Sequence, residues 1–137
     1  MRDVAYVALG SNLGDRDQHL AVARDAIARL PQTTVLAVTA PEETDPIGPP
    51  GQGRYLNQMV AIETELAPHA LLEALQAIER RAGRVRGKRW GPRTLDLDIV
   101  KFERQSVADE ALVVPHPALN DREFWLRELD TLARTVQ

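Results

Sequence analysis

The apolar residues of this chain switch back and forth between two spacings, and the order of the switches restricts the fold more than any other feature. Val4 to Leu9 is a short apolar run that stops at Gly10, which fits a buried strand. Leu20, Ala23, Ile27 and Leu30 then fall at helical spacing on one face, and Pro31 ends that helix. Thr33 to Thr39 is β-branched and apolar, the composition of a second strand. Thr44 to Arg54 holds three prolines and three glycines and reads as a long loop. Tyr55 to Leu66 resumes strand-like alternation. Pro68 suits the first turn of a helix lined by Leu71, Leu72, Leu75, Ile78 and Ala82, with Gly83 past its end. Gly83 to Arg93 is a second loop, rich in Gly and Arg. Leu95 to Phe102 is a further strand, residues 105–121 read as irregular, and Arg122 to Arg134 as a final helix.

The order β-α-β-β-α-β predicts an α+β, ferredoxin-like domain. Its antiparallel sheet is covered by helices on one face and followed by an added C-terminal helix. With 137 residues, the chain fits one domain spanning 1–137, long enough to bury a core without staples. The absence of cysteine excludes a disulfide framework, a Cys-ligated zinc and a thiol nucleophile. A net charge of −3 does not suit a surface built throughout for nucleic acid or anionic membrane. No apolar run approaches the roughly 18 residues of a membrane helix. The N-terminus enters a strand at once, with no basic region and cleavage site, so a cytoplasmic protein is expected. A fold of this kind hosts many functions and selects no chemistry by itself.

Chemistry enters with Asp96-Leu97-Asp98. Residues two apart on a strand share a face, so these carboxylates can hold one hard cation or share two. A bare Asp-x-Asp more often faces solvent and pairs with an arginine. Here Leu95, Leu97, Ile99 and Val100 surround the pair, and aspartate is a poor strand former, so a cation is the better account. Leading into it, Arg80 to Arg93 has seven basic residues in fourteen. Such a run is by default a solvated loop or a weak nucleic-acid patch. Its adjacency to the carboxylates points instead to a polyphosphate bridging cation and guanidinium groups. No Walker P-loop is present.

Of six aromatic residues, Tyr6 and Phe102 lie in strands and read as core, while Tyr55, Trp90 and Phe124 border loops. Any one alone is more often a packing residue; together they suit a flat, stacked ligand. Asn57 faces the same way as Tyr55 and offers an amide donor and acceptor to a heterocycle edge. His116 stands between Pro115 and Pro117, which restrict its backbone; a phosphate donor and a structural histidine both fit. His19 and His69 receive no role.

Leu9-Gly10-Ser11-Asn12-Leu13-Gly14, Thr44 through Tyr55-Leu56-Asn57, Gly83-Arg84-Val85-Arg86, Arg89-Trp90-Gly91-Pro92-Arg93-Thr94-Leu95-Asp96-Leu97-Asp98 and Pro115-His116-Pro117 together resemble the 6-hydroxymethyl-7,8-dihydropterin pyrophosphokinases. The resemblance runs from Val4 to about Leu129. It implies transfer of pyrophosphate from ATP to the pterin hydroxymethyl oxygen, leaving AMP, a step of folate synthesis. It implies two Mg²⁺ on Asp96 and Asp98, with Arg84 and Arg93 joining these carboxylates as catalytic groups. The pterin would lie between Tyr55 and Phe124, with Thr44, Asp45, Ile47, Asn57, Trp90 and Asp96 around it. ATP would fall to Gln76, Glu79, Arg84, Arg86, Trp90, Arg93, Ile99, His116 and Arg122. The loops Thr44–Arg54 and Gly83–Pro92 flank this site and are expected to close over the ligands, carrying Trp90 inward. The expected partners are small molecules, with neither nucleic acid nor membrane, and the expected state is a monomer.

Departures from the family pattern bear on nucleotide affinity and turnover. Ala111-Leu112-Val113-Val114 lacks a polar residue that relatives often have. Gly87-Lys88 makes the arginine loop one residue shorter than in some relatives, and Glu128 stands where proline is usual. The chain stops at Gln137, without the tail many members carry. Two rivals remain: an RNA-binding ferredoxin-like module, which needs exposed sheet aromatics and a basic face, and a diverged relative that binds without reacting.

Overall fold

The computed structural model describes residues 2–45, 53–83 and 94–136. In chain order the elements are β1 (Asp3–Ser11), α1 (Arg16–Ala28), β2 (Thr33–Val38), β3 (Glu42–Thr44), β4 (Tyr55–Thr64), α2 (Pro68–Arg81), β5 (Asp96–Phe102), β6 (Val107–Ala108), β7 (Val113–Val114), a 3₁₀ turn (Leu119–Asp121) and α3 (Glu123–Val136). The order β2-β4-β1-β5 is antiparallel at every pairing, and β3 adds to β4. β1 and β2 run parallel with β4 between them, which is the split β-α-β arrangement expected from the sequence.

Local chemistry sets the helix starts. Asp15 caps α1, its carboxylate accepting the Gln18 N–H at 3.1 Å. Pro68 occupies the first turn of α2, where its missing N–H costs nothing. Gly83 follows α2 at φ +86°, a left-handed conformation that glycine adopts freely.

Two cores lie on opposite faces of the sheet. Val7, Leu9, Val60, Ile62, Leu97 and Ile99 face α1 and α2, where Leu20, Ile27, Leu71, Leu75 and Ile78 meet them. Tyr6, Ala8, Met59, Ala61 and Val100 face α3, which contributes Trp125 and Leu132. Strand β1 is buried on both faces, which explains why its sequence is an unbroken apolar run. Tyr6 and Phe102 are core residues, as expected.

Three features depart from the expectation. The first strand does not stop at Gly10 but continues through it to Ser11. Strand β3 is new, because Glu42-Glu43-Thr44 carries no apolar alternation to announce it. It forms because β4 is ten residues long and outruns β2, leaving an edge at Tyr55–Asn57 to be paired. The chain crosses from β2 to β3 at Thr39, whose hydroxyl accepts the Met59 N–H at 2.9 Å. Residues 105–121 are likewise not wholly irregular. β6 and β7 pair there, and Asp109 closes their turn by accepting the Ala111 and Leu112 N–H groups.

Candidate active site

Asp96 and Asp98 open β5 on the α3 face of the sheet, while Leu97 and Ile99 between and beyond them are buried in the opposite core. Strict alternation along the strand produces this division. The two carboxylates are therefore side by side, with Cα atoms roughly 6.6 Å apart at two strand rises. Asp96 lies opposite Gly10 and Asp98 opposite Ala8. Both neighbours on β1 are small, so neither crowds the space above the acids.

Across β1 the row continues to β4, where Gly10 is opposite Asn57. Asn57, Gly10 and Asp96 thus form one line over three strands. Strands are spaced about 4.8 Å apart, so the outer two Cα atoms stand roughly 10 Å apart with bare backbone between. A Cβ placed on Gly10 would lie 3.4 Å from both Asn57 Oδ1 and the Tyr55 ring. Glycine here keeps a flat floor open between two polar side chains, a use of glycine in strands that brings another group close to backbone.

Asn57 departs from expectation in one respect. Its amide nitrogen donates within the protein, to Thr44 Oγ1 at 2.6 Å and to the Glu42 carbonyl at 3.4 Å. What it offers a ligand is the Oδ1 acceptor, not a donor and an acceptor together. The Thr44 hydroxyl, having accepted from Asn57, keeps its own proton to donate. Tyr55 is half-buried at the start of β4, paired with Thr44. Asp45 is exposed and lies 3.4 Å from Arg54 Nε. Arg16 pairs with Glu43 at 2.7 Å and donates to the Arg54 carbonyl at 2.9 Å, tying α1 to the rim of the site. That arginine holds the Glu43 carboxyl below its ordinary value, by hydrogen bond first and charge second.

His116 is fixed by three backbone contacts. Its N–H donates to the Val100 carbonyl at 2.8 Å, its carbonyl accepts the Leu119 N–H at 3.0 Å, and its ring Nδ1 accepts the Ala118 N–H at 3.0 Å. With Nδ1 occupied as an acceptor, the ring proton sits on Nε2. That atom is 3.6 Å from Asp98 Oδ1, so the histidine and the carboxylate pair form one edge of the site. Trp125 meets the His116 ring edge to face, with centroids 4.9 Å apart, and the Arg122 guanidinium lies 4.2 Å above the same indole. Phe124, half-buried in the first turn of α3, neighbours Trp125 at 6.2 Å.

Gln76 and Glu79 lie on α2, which packs against the opposite face of the sheet. Glu79 is buried, and its Oε2 accepts the Leu97 N–H at 2.8 Å along the outer edge of β5. Ile99 buries its side chain in the α1/α2 core. Its backbone has the same parity as Leu97 and faces that outer edge. Glu79 and Ile99 thus stand at the rim of β5, apart from the Asp96–Asp98 face, and Gln76 lies one helical turn before Glu79 on α2. Ile47, Arg84, Arg86, Trp90 and Arg93 lie outside the described residues, as do most of the two loops expected to close.

Among the described residues, no three His, Cys, Asp or Glu side chains converge as a complete metal cage. A hard-oxygen pair on one strand face nevertheless suits Mg²⁺, which commonly takes one or two protein carboxylates and completes its shell with water and phosphate. The sequence alone assigns no role to Gly10, Trp125 or Glu128. For Gly10 the available signal was a glycine inside a strand pattern. For Trp125 and Glu128, a helical projection of α3 would have put both on the sheet-facing side with Leu132.

Residues 6–134 match the family 7,8-dihydro-6-hydroxymethylpterin-pyrophosphokinase. The chain is 46% identical over 140 aligned positions to the 2-amino-4-hydroxy-6-hydroxymethyldihydropteridine pyrophosphokinase of Bacillus subtilis (strain 168), covering all of this chain and 82% of that protein. It is 50% identical over 128 residues to the protein of the same name from Pseudomonas aeruginosa, covering 93% and 79% of the two chains. A third, from Methylorubrum extorquens, is 46% identical over 129 residues, 94% and 82% of the two.

Proposed function

The chain belongs to the 7,8-dihydro-6-hydroxymethylpterin-pyrophosphokinase family, and from that premise we propose that it transfers pyrophosphate from ATP to 6-hydroxymethyl-7,8-dihydropterin in folate biosynthesis. The hydroxymethyl oxygen attacks the β-phosphorus of ATP and a new O–P bond forms. The bond bridging the α- and β-phosphates breaks, and AMP leaves with its electron pair. The observation that carries this reading is the shared face: two carboxylates, a glycine floor, an amide and a histidine all open on one end of the sheet.

On this reading the pterin lies over Gly10, stacked between Tyr55 and Phe124. Asn57 Oδ1 accepts from its edge, the Thr44 hydroxyl donates, and Asp45, Ile47 and Trp90 complete its surroundings. Asp96 and Asp98 would hold two Mg²⁺ ions, which supply charge neutralisation to the triphosphate when bound. His116 Nε2–H and the Arg122 guanidinium donate to phosphate oxygens beside them, with Arg84, Arg86 and Arg93 on the same ligand. Gln76, Glu79 and the backbone of Ile99 place the nucleotide along the outer edge of β5. Positioning and neutralisation are what a phosphoryl-type transfer chiefly requires. Among the described residues no helix is long and apolar enough to cross a membrane. We propose further that residues 1–137 act as one domain, a cytoplasmic monomer working on small molecules and not on nucleic acid.

The test is a product assay with ATP, MgCl₂ and 6-hydroxymethyl-7,8-dihydropterin, reading AMP and the pterin diphosphate. Equimolar appearance of both, abolished by chelating the metal, supports the reading. Tight titration of both ligands with no AMP released would make the protein a binder only, and binding of RNA without either ligand would overturn the reading altogether.

A further inference from the structure

Trp125 is buried at 3% exposure in the first turn of α3, and the reaction gives it no task. A core residue at this place needs only to be large and apolar. What distinguishes the indole is its company, because it touches two of the N–H donor side chains that the proposed function puts on the triphosphate. The Arg122 guanidinium lies over its face at 4.2 Å, and the His116 ring meets it nearly at right angles, 86°, at 4.9 Å.

The manner of holding matters. An arginine is ordinarily fixed by a carboxylate, which neutralises it and occupies its N–H fork. Among the described residues Arg122 has no carboxylate within ion-pair distance. It rests on an aromatic quadrupole instead, which attracts the cation while leaving all five N–H donors unspent. His116 is held differently: Trp125 meets its ring and the Ala118 N–H takes Nδ1, which leaves Nε2–H 3.6 Å from Asp98 Oδ1 at the edge of the site.

We infer that Trp125 is a positioning residue, a single indole that presets the Arg122 guanidinium, without neutralising it, and the neighbouring His116 ring for a nucleotide triphosphate. The inference rests on the proposed function, since it takes the ligand of Arg122 and His116 to be that triphosphate. Presetting a long flexible side chain removes part of the ordering cost of binding. The benefit falls on the nucleotide and not on the pterin.

The experiment titrates α,β-methylene-ATP with MgCl₂, and separately the pterin, into the intact protein and its variants. Trp125→Met keeps an apolar side chain and removes the ring. It should weaken the ATP analogue about tenfold, the order expected for losing one cation–π and one ring contact. Pterin affinity should stay within about twofold, and Trp125→Phe should restore most of the loss. In an Arg122→Ala/His116→Ala background, Trp125→Met should make no further difference. Equal weakening of both ligands, no rescue by Phe, or a loss that persists in that background would each show a merely structural core residue and overturn the inference.

A measurement needing no Trp125 variant stands beside these. The Arg122 side-chain proton resonances should be ring-current shifted in the free protein and remain so when the analogue binds. A shift that appears only on binding would overturn the presetting. If the unsubstituted protein binds no analogue while the Arg122 shift is present, it is the nucleotide reading that fails, and the inferred role of Trp125 falls with it.

Discussion

Neither carboxylate oxygen of Glu128 meets a hydrogen-bond donor among the described residues, and the side chain is buried against the sheet. Burial raises its pKa to about 8, with the nearby Glu42 carboxylate adding to the rise and Arg127 opposing it. Arg127 is itself paired with Glu42 at 2.9 Å, so it has little charge to spare. The consequence for stability has a definite sign. The folded protein keeps this proton above the pH at which the unfolded chain loses it. The contribution is therefore complete below the unfolded value of 4.5 and is lost as pH rises towards about 8. The limiting slope is about 1.4 kcal/mol per pH unit. Urea unfolding of the protein and of Glu128→Gln at pH 5 and pH 8.5 should show the variant gaining stability relative to the parent by a few kcal/mol at the higher pH. Parallel pH dependence in the two proteins would mean that Glu128 is ionised in the fold. At the same scale, the proposed function makes Asp96 and Asp98 separate electrostatic groups on one face. Asp96→Ala and Asp98→Ala should each lower turnover at least about 10²-fold, the magnitude of removing one charge stabiliser. Near-normal turnover of either at saturating MgCl₂ would remove that residue from the site.

On the proposed function the start of α3, with Arg122 just before it, serves both ligands from adjacent residues. Phe124 then stacks on the pterin, while Arg122 and Trp125 stand with His116. Successive helical residues diverge by about 100°, so one turn can address two neighbouring ligands. Phe124→Ala should weaken pterin binding by roughly 1–3 kcal/mol, the worth of one aromatic stack, with α,β-methylene-ATP affinity little changed. The reverse pattern in paired titrations would put the ring on the nucleotide. Elements differed in how far the sequence disclosed them. The common face of Asp96 and Asp98 followed from strand parity alone, since alternation is a local property. The helix over 122–134 followed from its spacing. β3 did not, because its cause lies in the surplus length of β4, thirteen residues away along the chain at Asn57 and Thr44. Nor could spacing show that Asn57 would spend its amide protons on Thr44 and Glu42, or that Glu79 would meet Leu97 across a sheet edge. Long-range polar pairing leaves no periodic trace.

At the scale of the molecule, the site lies where β4, β1 and β5 reach the same end of the sheet. Leu9, Leu56, Leu95 and Leu97 of the α1/α2 core run beneath the site on the opposite face, while the core under α3 stops short of it at Ala8, Met59 and Val100. Beyond them the α3 face carries Asn57, Gly10 and Asp96 in one row, with Tyr55 at its margin. The floor is thus made by the absence of a side chain at the centre of three strands, and the two core clusters hold the strands level. Gly10 has no left-handed backbone to protect, so a side chain there is limited by space alone. The nearest atoms to a new Cβ would be 3.4 Å away, ordinary contact that the fold can absorb. A branched side chain would go on to fill the volume proposed for the pterin, and β-branched residues suit a strand. Gly10→Val should therefore leave thermal unfolding within a few degrees of the parent, since it adds no cavity and breaks no hydrogen bond. It should weaken pterin binding at least about tenfold, the scale of one lost stacking contact. Affinity for α,β-methylene-ATP should hold within about twofold, because His116 and Arg122 stand at the β5 side of the floor. Unchanged pterin affinity in a folded Gly10→Val protein would show that the heterocycle does not lie over this row.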